Sequence, residues 1–345
     1  MADIVLADHG IEFDGTTLAR QPLGGAESSF IMLAEVLAAR GHRVRAYCCC
    51  RAAVRHNGVQ WLPLAEGLPD QADLYIANRS DRLLRAVPRA RRCLFWIHNP
   101  GGYLKKWRYL WKLTLRRPLI VALGPSHAAT VPSWIPRAGL LQIPLGVNGS
   151  YAAAPARQAL PKPRALFVSN PLRSLDWLLD LWARRIYPAM PEAELHIFSG
   201  KATYGAVGDN KAAAMNRVLD QARSLADKGV VLREPVPKSE LLREYQKARV
   251  LLYRGDIGET YCLAVAEAQT LGLPAVVQAI GATAERVVDG ITGFVAEDDA
   301  AFVDHATALL GDAALWQRQH QEALARQRSW TWDRVAERFE AQIPA

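Results

Sequence analysis

The chain has 345 residues, of which half are hydrophobic and 22% charged, and it carries a formal net charge of +8. That balance excludes disordered and fibrous proteins, and the length suits two domains of roughly 150 residues each. No apolar run reaches the ~18 residues of a spanning helix, and the opening MADIVLADHG is acidic where a signal peptide is basic.

Taken in chain order, IVLAD (4–8) predicts a buried strand and ESSFIMLAEVLAARG (27–41) a helix ended by Gly41. HRVRAYCC (42–49), ADLYIAN (72–78), CLFWIH (93–98), LIVALG (119–124) and LLQIPLG (140–146) predict further strands. The segment 148–164, rich in Ala and Pro and without periodicity, reads as a linker. The strand-helix rhythm then restarts with ALFVSN (165–170), a helix over 175–190 and ELHIFSG (194–200). GVVLREPV (229–236) reads as a strand, KSELLREYQKAR (238–249) as a helix capped by Ser239, and VLLYRG (250–255) as a strand. CLAVAEAQTLG (262–272) and PAVVQAIG (274–281) continue the pattern, and the chain is helical from about residue 300, interrupted near Ser329 and Trp330. Such alternation predicts α/β architecture with parallel sheets, here in two doubly wound domains facing across a cleft. The expected domains are 1–157 with the linker, 158–328, and a C-terminal helix at 329–345. That helix, patterned by Trp332, Val335, Phe339 and Ile343, is expected to pack back on the first domain.

Several signatures fail. There is no GxGxxG after the first strand, no Walker pattern around SGKAT (199–203), and no Asp-x-Asp, HExxH or GxSxG. The five cysteines, three of them consecutive at Cys48–Cys50, give neither CxxC spacing nor a paired framework, so a reduced, cytoplasmic protein without metal or cofactor is expected. What is present is GETYCLAVAEAQTLGLPAVVQAIGATAERVVDGITGFV (258–295), in which Glu259 and Glu267 form an E-x7-E pair. With Glu259 just before a helix and Glu267 two turns into it, both carboxylates could face one cleft. Backbone N–H groups of Thr260 and Tyr261 at the helix start could then bind phosphate through the helix dipole. Gly255, Gly258 and Gly281 mark loops that could approach a ligand closely.

In these residues the sequence resembles the retaining nucleotide-sugar glycosyltransferases of family 4 (glycosyl transferases group 1), which have the GT-B fold. PLGGAESS (22–29), FWIHNPGG (95–102), ALGPSHAAT (122–130), QIPLGVN (142–148), FVSNPLRSLDWLLDLW (167–182) and AELHIFSG (193–200) extend the likeness over almost the whole chain. The resemblance implies a nucleotide-diphosphate sugar as donor and a glycan or lipid-linked acceptor, in cell-surface glycan, lipopolysaccharide or glycolipid synthesis, with no nucleic acid partner. It implies that Glu259 lies near the donor sugar, that Glu267 holds the ribose, and that Arg173 neutralises the leaving diphosphate. His98 would hydrogen-bond the transferred sugar, and Gly24 and Gly25 would let the donor or acceptor approach a helix N-terminus. The chain departs from the family where a second cation is usual, at Asn170, and where a glycine follows the basic residue, at Ser174. Lys201 or Arg254 could supply the missing charge. That departure keeps open a catalytically silent sugar- or partner-binding GT-B protein, and a nucleotide-sugar epimerase of the same fold is a third reading.

Charge is uneven. Residues 1–157 hold 20 Lys and Arg against 10 Asp and Glu, and no acidic residue stands between Asp81 and Asp176, an interval with 16 cations. A one-signed field of this kind attracts anionic surfaces or polyanions; no zinc-finger, RNP-type or helix-turn-helix pattern accompanies it. Within it LKKWRYLWKLTLRR (104–117) predicts a helix with Leu104, Trp107, Leu110, Trp111 and Leu115 on one face and Lys105, Arg108, Lys112 and Arg116 opposite. Lys105, Lys106, Trp107, Trp111, Lys112 and Arg116 are therefore candidates for an anionic membrane or acceptor surface, making the protein peripheral on the membrane's inner face. An ordinary surface helix with a core-facing apolar side is the alternative.

Overall fold

In the computed structural model, which describes residues 1–157, 159–200 and 211–344, strand β1 (Asp3–Asp8) has Ile4, Val5, Leu6 and Ala7 wholly buried. A strand covered on both faces reads as a continuous apolar run, which is why the sequence announces it. β1 lies between β2 (Arg43–Cys48) and β5 (Leu74–Asn78), parallel to both. With β3 (Val54–His56), β4 (Val59–Pro63), β6 (Arg92–Trp96), β7 (Leu119–Ala122) and β8 (Gly139–Gln142) it forms a sheet of order β3-β4-β2-β1-β5-β6-β7-β8. Only β3 is antiparallel, joined to β4 through Asn57-Gly58, both at positive φ (46° and 77°). Two such residues make the tight turn whose twist suits a hairpin.

Helix α1 (Gly25–Ala39) follows the loop after β1 and buries Phe30, Ile31, Leu33, Ala34 and Leu37. The chain divides into two compact units: Met1–Gly146 together with the segment from Thr331 to the C-terminus, and Val147–Trp330. At Gly146 a Cβ would stand 2.7 Å from the backbone nitrogen of Trp332, so two main-chain segments cross there too closely for any side chain. The last helix (Trp332–Glu340) packs on α1 and buries Trp332, Val335 and Phe339. Glu340 closes this contact by accepting two bonds from Arg40 (2.6 and 2.8 Å) and lying 3.0 Å from His42 Nε2. Phe339 meets Trp96 edge-on, with ring centroids 5.4 Å apart.

The second unit holds an all-parallel sheet of β9 (Arg164–Val168), β10 (Glu194–Phe198), β11 (Val230–Arg233), β12 (Val250–Tyr253), β13 (Ala275–Gln278) and β14 (Gly293–Ala296). Its order is β11-β10-β9-β12-β13-β14. The division falls at Gly146/Val147 rather than at 157/158, because the presumed linker is bound to this unit. Tyr151 is wholly buried and donates to the Lys238 carbonyl at 2.9 Å, and Arg157 donates to the Ala248 carbonyl at 2.5 Å. Composition marked these residues as loose, and long-range contacts override it. Among the described residues no helix is long and apolar enough to cross a membrane, and all five cysteines are free.

Candidate functional site

Because every strand of the second sheet is parallel, the carboxyl ends share one edge, and the strand order reverses between β9 and β12. Open α/β sheets bind ligands outside such a reversal. The loop after β9 carries Asn170, Arg173 and Ser174 and leads into helix α4 (Leu175–Leu181); the loop after β12 carries Arg254 and Glu259. Ser174 Oγ donates to the Gly255 carbonyl at 3.0 Å and joins the two loops. Ser174 has φ +58°, the left-handed region that favours glycine, so the serine found where the family's glycine is expected keeps the glycine backbone.

These loops bring Arg173 and Glu259 together as an ion pair through Glu259 Oε2. Tyr253 Oη donates to the same oxygen at 2.7 Å, and the Cys262 N–H donates to Oε1 at 3.1 Å. Burial works against the Arg173 charge, but Glu259 and Tyr253 outweigh it and hold the guanidinium protonated. Burial, then the Glu259 charge, pushes the Tyr253 phenol well above its ordinary value, so it remains a donor. Glu267 is buried and accepts from Lys238 Nζ through both oxygens, at 2.5 and 2.8 Å. Lys238 opens helix α5 (Lys238–Gln246) directly after Pro237, which displaces the cap expected at Ser239. Sequence reasoning missed Lys238 and Tyr253 as site residues. A lysine at a helix start and a tyrosine closing an apolar strand carry no motif.

Helix α6 (Leu263–Thr270) begins after Cys262, whose φ of +66° prevents the helix from running further toward Glu259. Glu267 therefore lies one turn into the helix, not two, and Glu259 lies outside it. The expected N–H pair of Thr260 and Tyr261 precedes the helix; both residues are buried, and Arg286 stacks 4.4 Å over the Tyr261 ring. Gly281, at φ +63°, lets its loop close on the Glu259 segment, where a Cβ would stand 2.7 Å from the Glu259 carbonyl. Its close approach is thus to protein. Asn170 Oδ1 accepts the Leu172 N–H at 2.9 Å and shapes the Arg173 turn. Arg254 lies over Trp177 (4.8 Å) and donates to Gln278 Oε1 at 2.9 Å. Lys201 lies outside the described residues. Among the described residues no group of three or more His, Cys, Asp or Glu is arranged to hold a metal ion.

In the first unit the strand order reverses between β1 and β5, and an unforeseen charge cluster fills that point. Arg79, at φ +60°, donates to both oxygens of the fully buried Asp8 (2.8 and 2.7 Å) and to Glu27 Oε1 (2.9 Å). Asn78 Nδ2 also donates to Asp8, at 2.6 Å. Gly24 caps α1 and Gly25 opens it; a Cβ at Gly24 would meet Glu27 Oε2 at 2.5 Å, so this helix end already has a carboxylate beside it. His98 follows β6 with its ring 4.6 Å from that of Trp96. Burial, then the Arg79 charge, pushes its basicity well down, which favours the neutral ring. His127 lies 2.9 Å from the Asn99 carbonyl through Nε2 and accepts the Leu123 N–H through Nδ1 at 3.1 Å, which steadies the loop after His98.

The basic helix, α2 (Trp107–Arg116), buries Tyr109 and Leu113, so the core-facing side is not the one that carries Trp107. Trp107 and Leu115 are 76% and 66% exposed, and Trp111 is half-buried. Lys105 and Lys106 are exposed, whereas Lys112 is bound to Asp81 (2.7 Å) and Arg116 donates to the carbonyls of Val87, Pro88 and Ala90. Tyr109 and Leu113 seal the core side, which leaves Trp107 and Leu115 to solvent.

Two Rossmann-like units with parallel sheets define a GT-B protein. Sucrose-phosphate synthase from Thermosynechococcus elongatus shares the fold at 18% identity, with a TM-score of 0.73 and 98% of each chain covered. Anabaena HepE, solved in complex with UDP-glucose, shares it at 12% identity, with a TM-score of 0.72 and 99% of each chain covered. Residues 162–312 match the family model described as glycosyl transferases group 1. D-inositol 3-phosphate glycosyltransferase of Corynebacterium diphtheriae is 31% identical over 136 residues, which is 38% of this chain and 31% of that protein. The chain thus matches less than a third of the length of that curated relative.

Proposed function

We propose that the chain transfers a sugar from a nucleotide-diphosphate sugar to an acceptor hydroxyl with retention of anomeric configuration and without metal. The observation that carries this reading is the meeting of Arg173 and Glu259 at the sheet's reversal point, in the segment that matches the group 1 family model and also holds the Lys238–Glu267 pair. In the reaction the bond from the anomeric carbon to the diphosphate oxygen breaks, and a bond to the acceptor oxygen forms on the same face. The acceptor proton passes to the departing phosphate. Arg173 stabilises the charge that grows on the diphosphate, Glu259 accepts hydroxyl groups of the donor sugar, and Glu267 accepts those of the ribose. His98 serves as a neutral hydrogen-bonding ring. HepE, solved with UDP-glucose, makes UDP-sugars the first donors to try. Incubation with UDP-, GDP- and ADP-sugars, with and without glycan and lipid-linked acceptors, tests the reading through diphosphate release and the anomeric signal of the product. Turnover only with acceptor and with retained configuration supports it; release of an isomerised sugar nucleotide supports an epimerase, and binding without turnover a silent protein.

The exposure of Trp107 and Leu115 beside Lys105 and Lys106 favours a second element of the proposal, docking of the first unit on an anionic membrane that holds the acceptor. Each cation near such a leaflet contributes about 1 kcal/mol, and inserted indole rings add an apolar share that salt does not remove. Sedimentation with anionic vesicles should weaken but persist as salt rises, and should fall in Trp107→Ala. A chain that ignores anionic vesicles at low salt has a soluble acceptor.

A further inference from the structure

The two donors that meet at Glu259 Oε2 differ in how firmly they are held. The Arg173 side chain is 34% exposed and stands on a loop, whereas Tyr253 is 1% exposed and closes β12, its ring 5.9 Å from that of Phe167 in the sheet core. If the nucleotide diphosphate draws the Arg173 guanidinium to itself, as the proposed function requires, Glu259 loses that partner on donor binding. A carboxylate without a fixed partner rotates, and hydrogen bonds that select a transition state need groups already in place. Tyr253 and the Cys262 N–H are what remain, one on each carboxylate oxygen.

We propose that Tyr253 is a positioning residue that holds the Glu259 carboxylate toward the donor sugar when Arg173 is engaged by the diphosphate. The inference rests on the donor-site reading above. The phenol touches neither diphosphate nor acceptor in this account; it acts through Glu259, fixing Oε2 so that the carboxylate's free lone pairs face the sugar hydroxyls. Its hydroxyl is buried at the base of the loop and its ring is locked by the strand, so the bond survives changes in the Arg173 loop.

Tyr253→Phe removes the hydroxyl and keeps the ring. In the full chain, with UDP and UDP-glucose as probes followed by a GDP- and ADP-sugar panel, UDP affinity should stay within about twofold of wild type. The turnover number with the accepted donor should fall about 10- to 100-fold, the span of a hydrogen bond to a charged group. Because the role runs through Glu259, the same change on a Glu259→Gln background should cost less than threefold further. An unchanged melting temperature and UDP affinity in Y253F would show that the site is intact. A Y253F enzyme that turns over like wild type, or a loss as large on the Glu259→Gln background, overturns the role of Tyr253 while leaving the donor reading standing. A wild-type chain that binds no nucleotide or nucleotide sugar overturns both.

Discussion

Phe339→Ala tests whether the final helix is part of the first unit's core. Phe339 is fully buried, its ring lies edge-on to Trp96 at 5.4 Å, and Trp96 in turn lies 4.6 Å from His98. Truncating a buried phenylalanine costs ~3–5 kcal/mol, from lost transfer energy and from the cavity left behind. In a unit of this size each kcal/mol lowers the midpoint by roughly 2–4 °C, so the first unit should melt about 6–20 °C earlier. Urea unfolding followed by hydrogen exchange, peptide by peptide, assigns the loss to a unit. Earlier exchange in β1, β6 and α1 with β9 and β12 unchanged is expected. A loss below about 1 kcal/mol, or one confined to the second unit, would refute the packing argument.

Three further expectations can be checked in the same preparations. Lys238→Met should destabilise the second unit by about 3–5 kcal/mol because it strands the buried Glu267 charge; the double change with Glu267→Leu should recover stability, and equal loss in both would contradict the pairing. Glu340 has its acidity strengthened first by Arg40 and then by His42. Its contribution is therefore present above the unfolded carboxylate range and lost as pH falls through the lowered folded value, so Glu340→Gln should flatten the acid limb of the first unit's stability. The His98 ring, its basicity pushed down by burial and by the Arg79 charge, should show no imidazole titration by NMR between pH 5.5 and 8; a midpoint near 6.5 would contradict its surroundings.

The parallel strands were legible because burial on both faces leaves unbroken apolar runs, as in Val250–Tyr253 and Ala275–Gln278. The β3–β4 hairpin was equally available through Asn57-Gly58 and went unread, because its strands are short and interrupted by Arg55 and His56. The E-x7-E spacing located both carboxylates, yet a helical argument gave the wrong start, since the left-handed Cys262 is a tertiary outcome with no glycine to signal it. The partners of those carboxylates, Tyr253, Arg173 and Lys238, come from three separate segments and meet only through the sheet. The Asp8–Arg79–Glu27 cluster was hidden for the same reason.

The central claim is that the reversal point of the second sheet binds a nucleotide-diphosphate sugar, and calorimetric titration with UDP, UDP-glucose and the corresponding GDP and ADP compounds tests it most directly. The account predicts that at least one nucleotide sugar binds with a dissociation constant below about 1 mM, a free energy beyond roughly −4 kcal/mol. Arg173→Ala should weaken diphosphate binding, and Glu267→Ala should weaken the nucleotide and its sugar conjugate alike. No binding of any nucleotide, or full binding retained in both variants, would contradict it.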